Sequence, residues 1–301
     1  MVLVFGTICV DRIRRIDSLP KKGGYSPVED QVELLGGEAA NTACYLVMWR
    51  QEVALAGNAL GTGFEGENLR MKVLEKGLDA YLLQKAGATP VCDVYVTPDG
   101  DRTMFGYGFH QEGNHTPFDM LPFTRNSWFT ADPNMPIASR LAAKLAHGHG
   151  MHLYLMDFSR DDEIVPPDAV CQFGTDTIGE RGNPDINLAW VEAWTKKHRC
   201  RTILTDGAYG LYCGCPGEKA KHLPSFPAEV VIDSTGAGDA FRAGVLYGLI
   251  NDLPFGQCLR LGASSASLKV ASLGATESVP TIQEVRAHIK AHPDIAQAYE
   301  F

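Results

Sequence analysis

A carboxylate and two glycines stand together in Asp233-Ser234-Thr235-Gly236-Ala237-Gly238-Asp239-Ala240-Phe241. If a helix begins there, its first backbone N–H groups are unpaired and point outward. The aligned peptide dipoles add partial positive charge at the same end. Gly236 and Gly238 carry no side chains that would block a large anion. Asp239 would compete with that anion unless it faces a second reactant. It then takes the proton from an attacking hydroxyl as a general base. Meanwhile the amides around Gly236, Ala237 and Gly238 hold the negative charge of a transferred phosphoryl group. The plainer alternative is an ordinary glycine turn with Asp239 as an early-helix acid.

Two elements must position that turn. Glu229-Val230-Val231-Ile232 is a short β-branched run and predicts a buried strand. Downstream, Phe241, Val245, Leu246 and Leu249 recur at helical spacings on one face. Ala240, Gly244 and Gly248 make a second, narrow face of small side chains, against which another element can pack closely. The rest of the chain alternates in the same way. Val2-Leu3-Val4-Phe5, Val53-Ala54-Leu55-Ala56-Gly57, residues 151–156 and residues 201–205 predict strands. Residues 36–50, 64–76, 139–146 and 255–272 predict helices. That alternation points to parallel βαβ units. Residues 12–35 differ, because Pro20, Gly23, Gly24 and Pro27 break any helix, and Gln31-Val32-Glu33-Leu34 alternates like a strand. Residues 91–110 read as a hairpin around Pro98-Asp99-Gly100-Asp101.

The turn sequence D-[ST]-T-G-A-G-D-x-F resembles the C-terminal signature of the ribokinase-like (PfkB) carbohydrate kinases. Gly36-Gly37-Glu38-Ala39-Ala40-Asn41-Thr42-Ala43 resembles the N-terminal signature, G-G-x-x-x-N, and the likeness covers nearly the whole chain. The resemblance implies a three-layer α/β/α fold with a mostly parallel sheet, in one domain over residues 1–301. Segments 12–35 and 91–110 would form a small β-sheet lid over the sugar site, able to pair with a second subunit's lid in a homodimer. It implies ATP and Mg²⁺, with transfer of the γ-phosphoryl group to a hydroxymethyl group of a sugar, sugar acid or nucleoside. Asp239 is then the base. Asp11, in the loop expected after the first strand, and Asn41 bond acceptor hydroxyls, and Gly36 and Gly37 let the backbone approach the sugar. Thr205, Gly207 and Gly210 match the T-x-G-x-x-G turn that borders the nucleotide. Ser264, in the run Gly262-Ala263-Ser264-Ser265-Ala266-Ser267, suits a flat adenine wall or, equally, close helix packing. Asp233, Thr235, Gly274 and Ser278, with Lys269 and Ser272, fall where some relatives bind a potassium ion. The chain departs from the family at N-x-x-E, where it reads Phe173-Gly174-Thr175-Asp176. Asp176 stands in for the magnesium-ordering Glu, with Glu180 as a competing candidate. Acceptor choice would lie with lid side chains such as Tyr25, Tyr95, Phe105, Tyr107 and His110.

Composition bounds the alternatives. The chain has 301 residues, 45% hydrophobic and 21% charged, with a net charge of −9, which argues against a nucleic-acid partner. Eight scattered cysteines lack a zinc or disulfide pattern and suggest a reducing, cytoplasmic setting. Residues 1–10 are apolar but short, with no basic start, and read as a strand rather than a leader. No run approaches the ~18 apolar residues of a membrane span. A kinase for phosphorylated sugars would want a basic cluster near the lid, for which Arg12, Arg14 and Arg15 are candidates. A non-catalytic ligand-sensing relative is opposed by the intact Asp239. A dinucleotide-binding oxidoreductase is opposed by Gly6-Thr7-Ile8-Cys9, which lacks the second and third glycines of that fingerprint.

Overall fold

Every residue of the first strand is buried, and its side chains divide between two helical layers. Val2 and Val4 face one core; Leu3 and Phe5 face the other. This is the pattern of a strand covered on both sides. The structure, a computed structural model, describes residues 1–109, 113–163 and 165–301. His110 lies outside the described residues.

In chain order the strands begin with β1 (Val2–Gly6), β2 (Cys9–Arg15), β3 (Asp30–Gly36), β4 (Val53–Gly57), β5 (Val91–Val96) and β6 (Arg102–Tyr107). They continue with β7 (Trp128–Ala131), β8 (His152–Met156), β9 (Val170–Gly174), β10 (Arg201–Thr205), β11 (Leu211–Gly214) and β12 (Lys221–Leu223). The helices are α1 (Glu38–Met48), α2 (Gly63–Glu75), α3 (Ala138–Gly148) and α4 (Pro184–His198). They are followed by α5 (Ala237–Ile250), α6 (Phe255–Lys269), α7 (Ile282–Ala291) and α8 (Pro293–Gln297).

The large sheet has the order β12-β11-β10-β9-β8-β7-β1-β4. Neighbours from β4 to β10 run parallel, and β11 and β12 add an antiparallel edge. Helices α1, α2, α5, α6 and α7 cover one face, where Val4, Leu55, Tyr154 and Ile203 meet Leu69, Phe241, Leu259 and Val285. Helices α3 and α4 cover the other, where Phe5, Leu155 and Phe173 meet Ala142 and Trp194. This is the expected three-layer arrangement. The small-residue face of α5 does pack closely. A Cβ on Gly244 would stand 2.7 Å from the Gly262 backbone of α6, and one on Gly248 would stand 2.7 Å from Cys258 Sγ.

The second sheet has the order β3-β2-β5-β6, with its own small core of Ile13, Leu34, Val94 and Val96. Its hairpin turn reaches back to the main body. Ser234 N–H donates to Gly100 O at 3.4 Å, and Arg102 Nη1 donates to Ser234 Oγ at 2.7 Å.

Two expectations about position change. Glu229 to Ile232 is not a buried strand: Val230 and Val231 are each 51% exposed. Ile232 and Asp233 donate their N–H groups to Val270 O, at 2.7 and 3.2 Å, so the segment is tied to the end of α6. A β-branched run favours extended backbone, but the sheet's antiparallel edge ends earlier, at β12, and leaves it no strand partner. Asp11 sits within β2 of the small sheet rather than in a loop after β1. Among the described residues, no helix is long and apolar enough to cross a membrane.

Candidate active site

Gly236 caps α5 in the left-handed region, at φ 78°. A Cβ there would stand 2.5 Å from Ala275 Cβ, so this turn admits only glycine. Ala240 N–H makes the first helical bond, to Gly236 O at 2.9 Å, and Ala237 N–H donates to Ser234 O at 3.2 Å. Ala237 is therefore tied into the turn, which leaves the Gly236, Gly238 and Asp239 amides to meet an anion. Gly238 O accepts from Gln172 Nε2 at 3.1 Å, which pins the turn to the middle of β9.

Asp239 is buried at the first turn of α5. Its Oδ2 accepts from Asn41 Nδ2 at 2.9 Å, and its Oδ1 accepts from Arg242 Nη2 at 3.2 Å. Burial pushes its carboxyl up to about 6, while the Arg242 charge and the Asn41 hydrogen bond hold it down. A carboxylate poised there is ionised at neutral pH yet still basic enough to take a hydroxyl proton.

The residues expected to bind the acceptor converge on the same carboxylate. Asn41 lies in the first turn of α1, and its Oδ1 is buried without a hydrogen-bond partner. That free acceptor suits an incoming hydroxyl. Asp11 is buried too. A Cβ on Gly36 would stand 2.0 Å from Asp11 Cγ, so Gly36 makes room for this carboxyl. Burial raises Asp11 to about 7, and the negative charges of Asp239 and Asp233 push in the same direction. Gly37 caps α1 at φ 95°, with Thr7 O only 2.4 Å from where its Cβ would be.

Several residues that the sequence reading missed surround this core. Arg242 is fully buried; its Nε donates to Thr42 Oγ1 at 2.7 Å, and its Nη2 also donates to Glu38 O. Asp132 follows β7 and accepts from Thr7 N–H at 2.8 Å, Thr7 Oγ1 at 3.2 Å and Asn134 N–H at 3.2 Å. Glu38 is driven well above the usual carboxylate range by burial first, then by Asp132 and Asp239. Asp157 follows β8 and is raised to about 6, again mainly by burial. Their position was the available signal: Asp132 and Asp157 end parallel strands, where open α/β sheets gather ligands. Arg242 lies one helical turn beyond Asp239.

This donor set fits a magnesium ion that arrives with phosphates. Mg²⁺ takes one or two carboxylates and keeps water and phosphate oxygens for the rest. Glu38 Oε2 is buried with no hydrogen-bond partner, and the Asp157 carboxylate is held loosely, by Thr177 Oγ1 at 3.5 Å and by the Gly174 backbone. Asp132 already has its donors. Asp176 lies on an exposed turn beyond β9, as does Glu180 before α4, so Glu38 and Asp157 are the better-placed carboxylates.

Among the residues expected to border the nucleotide, Thr205 ends β10 and its Oγ1 donates to Phe173 O at 3.2 Å. Gly207 and Gly210 follow, both at positive φ, and a Cβ on Gly210 would stand 2.1 Å from Leu223 O. Asp206, between Thr205 and Gly207, is buried and accepts from Thr175 Oγ1 and Gly182 N–H, each at 2.9 Å, which braces the turn. Ser264 does not line an open wall. It is fully buried and donates to Val285 O at 3.2 Å under α7, so close helix packing accounts for it. At the residues expected to hold potassium, an ammonium group is already present. The Lys269 ammonium sits between the carbonyls of Asp233 and Ser272, Thr235 is buried, and Ser278 is exposed.

A glycine turn opening a helix beside a basic carboxylate, at the rim of a parallel sheet, defines a phosphotransferase that activates a hydroxyl. Comparison with known proteins gives the family. The model of the pfkB family carbohydrate kinases matches residues 1–120 and 181–282, and the chain belongs to that family. It is 26% identical over 344 residues to an uncharacterized sugar kinase of Dictyostelium discoideum, across 96% of this chain and 97% of that protein. It is 33% identical over 299 residues to a nucleoside kinase of Methanocaldococcus jannaschii, across 95% and 96% of the two chains. An Arabidopsis thaliana ribokinase solved with ribose and ATP shares the fold, with a TM-score of 0.74 at 20% identity, over 100% of this chain and 98% of that one.

Proposed function

We propose that the protein transfers the γ-phosphoryl group of ATP to a hydroxymethyl group of a sugar, sugar acid or nucleoside. The observation that carries this reading is the Asn41–Asp239 bond, which joins an acceptor-binding amide to the base at 2.9 Å. Asp11 and Asn41 orient the acceptor, and Asp239 takes its hydroxyl proton. The oxygen attacks the γ-phosphorus, ADP departs, and the Gly236, Gly238 and Asp239 amides receive the charge on the transferred group. Glu38 and Asp157 would hold Mg²⁺ arriving with the nucleotide, which would supply neutralisation of phosphate charge. Positioning supplies most of the acceleration.

The chain works in this reading as one ribokinase-like domain, with the small sheet over about 12–35 and 91–110 as its lid. The turn contacts of Gly100 and Arg102 support lid closure over the phosphoryl group, which excludes water. Met104, Phe105 and Tyr107 are exposed on the edge strand β6 and support pairing with a second lid. Unpaired cysteines support a reducing, cytoplasmic setting.

Phosphorylated acceptors are disfavoured by the lid charges. Arg12 is paired with Glu33 at 2.6 Å and Glu65 at 3.1 Å, and Arg14 is paired with Asp93. A coupled ADP-release screen over ribose, fructose, ketodeoxygluconate, adenosine, inosine and fructose phosphates tests the reading. Acceptor-dependent ADP release with an unphosphorylated compound is expected. Release with fructose phosphates alone would move the protein to the phosphosugar kinases, and no release with any acceptor would remove the kinase assignment.

A further inference from the structure

Lys269, the last residue of α6, is fully buried, and the catalytic turn is built around its ammonium group. Nζ donates to Asp233 O at 2.7 Å and to Ser272 O at 3.1 Å, and lies 4.0 Å from Asp233 Oδ2. The Asp233 carboxylate extends the same clamp. Its Oδ1 accepts from Thr235 N–H and its Oδ2 from Gly274 N–H, each at 2.8 Å. One cation thus fastens two backbone segments, 233–235 and 272–274. The first leads directly into Gly236 and its phosphate-facing amides.

An ordinary structural lysine keeps its charge in water and buries only its stem. Lys269 does the reverse: its amine is buried and held by two main-chain carbonyls, with the Asp233 carboxylate beyond. The groups facing it are Asp233, Asp239 and Arg102. Burial lowers Lys269 to about 8, with Asp233 opposing, so the group remains charged at neutral pH. A tethered ammonium has a fixed effective concentration, whereas a free ion occupies a site in proportion to its supply.

We propose that Lys269 is a built-in monovalent cation, which holds the phosphoryl-binding turn in its working shape and makes the enzyme independent of potassium. Lys269 is a positioning residue, acting through Asp233 and the turn. The inference rests on the kinase reading, but the binding measurements below need no phosphoryl acceptor.

The test compares potassium chloride, sodium chloride and tetramethylammonium chloride at constant ionic strength. The wild-type chain should bind magnesium with a non-hydrolysable ATP analogue equally in all three by calorimetry, and should melt at the same temperature. Its turnover with an acceptor found in the screen should be equally insensitive. Coupling to a bound ion would instead give about 5–150-fold differences; a potassium effect of that size on wild-type analogue affinity or turnover overturns the proposal. Lys269→Ala should lose analogue affinity and turnover in tetramethylammonium and regain them in potassium or ammonium. A folded Lys269→Ala protein that works equally in every salt, or that no cation restores, also overturns it. If that variant does not fold, the wild-type comparison decides by itself. Absence of turnover with every acceptor would defeat the kinase reading alone, because analogue binding still reports the cation dependence.

Discussion

Asn41 Nδ2 donates to Asp239 Oδ2 at 2.9 Å, across 198 positions of sequence. The two glycine signatures therefore meet at one carboxylate. Three of the glycines make room for a neighbour: Gly36 for the Asp11 carboxyl, Gly37 for Thr7 O, and Gly236 for the Ala275 methyl. The helices α1 and α5 that carry Asn41 and Asp239 enter the site from the same layer. This arrangement supports a base fixed in place before any substrate arrives.

Replacing that base should separate binding from chemistry. Asp239→Asn keeps the side-chain volume and a hydrogen-bonding oxygen. Turnover should fall by at least about 10²-fold, the lower range for a positioned general base. Calorimetry should show nucleotide affinity retained. Near wild-type turnover would remove Asp239 from the chemistry.

Activity and stability should respond to pH in opposite senses. Asp239 and Asp157 are raised to about 6 and Asp11 to about 7, from an ordinary 3.8, chiefly by burial. The folded chain therefore holds protons that the unfolded chain has released between about pH 4 and 7. This contribution to stability is full below the unfolded value and is lost as pH rises through about 6 to 7. Glu67, Asp99 and Glu284 are shifted the other way, but they are exposed and screened. His198 and His288, lowered chiefly by burial, also oppose the trend, but both are only partly buried, whereas the three carboxyls are buried or nearly so. Turnover needs Asp239 ionised and should rise over the same interval. Between about pH 5 and 7.5, the melting temperature should fall while kcat climbs. A melting temperature that climbs along with kcat would refute the assignment of these raised carboxyls.

Arg242 should set where that pH profile lies. It is fully buried against Asp239, Thr42 and Glu38. Arg242→Met preserves much of the volume and removes the charge. Stripping one partner from a buried ion pair typically costs about 3–5 kcal/mol, so the urea midpoint should drop. The acid limb of the kcat profile should also move to higher pH, because the Asp239 anion loses its main electrostatic support. An unchanged limb in a folded variant would show that Arg242 is structural only.

Much of the architecture was legible because it depends on periodicity. The continuous apolar run of β1 and the small face of α5 are both properties of single segments. The glycine turns were also legible, since positive φ or close approach restricts the residue type. What stayed hidden depends on contacts distant in sequence. Asp132 and Asp157 each look like an acid after a strand, and only the sheet order brings them towards Arg242. Glu229 to Ile232 has strand composition but no neighbouring strand to bond. Lys269 stood in the sequence only beside the potassium positions, and its burial against two carbonyls follows from how 233–235 and 272–274 pack.

Close packing of α5 on α6 gives a prediction independent of chemistry. Gly244→Ala would place a Cβ 2.7 Å from Gly262 backbone atoms, which have no flexible side chain to move aside. Overpacking of this kind costs typically ~1–3 kcal/mol. Gly148→Ala is the control, because nothing lies within 4 Å of its Cβ position. Urea denaturation should separate the two variants clearly. Equal midpoints would mean that the helices can part without cost.

The lid contact bears on fidelity. Arg102 Nη1 donates to Ser234 Oγ at 2.7 Å, and Ser234 N–H donates to Gly100 O at 3.4 Å, so the hairpin turn rests on the residues leading into the anion hole. A site that transfers phosphoryl groups to a sugar must deny them to water, and closure is the physical means. Arg102→Leu keeps a bulky side chain but removes the donor. If the contact holds the lid shut, this variant should release more inorganic phosphate per phosphorylated product than the wild type. Ser234→Ala should show the same bias more weakly, since the backbone bond to Gly100 remains. Measuring phosphate and product in one reaction separates leakage from a general loss of rate. An unchanged ratio in both variants would assign water exclusion to another part of the lid, leaving this contact as packing.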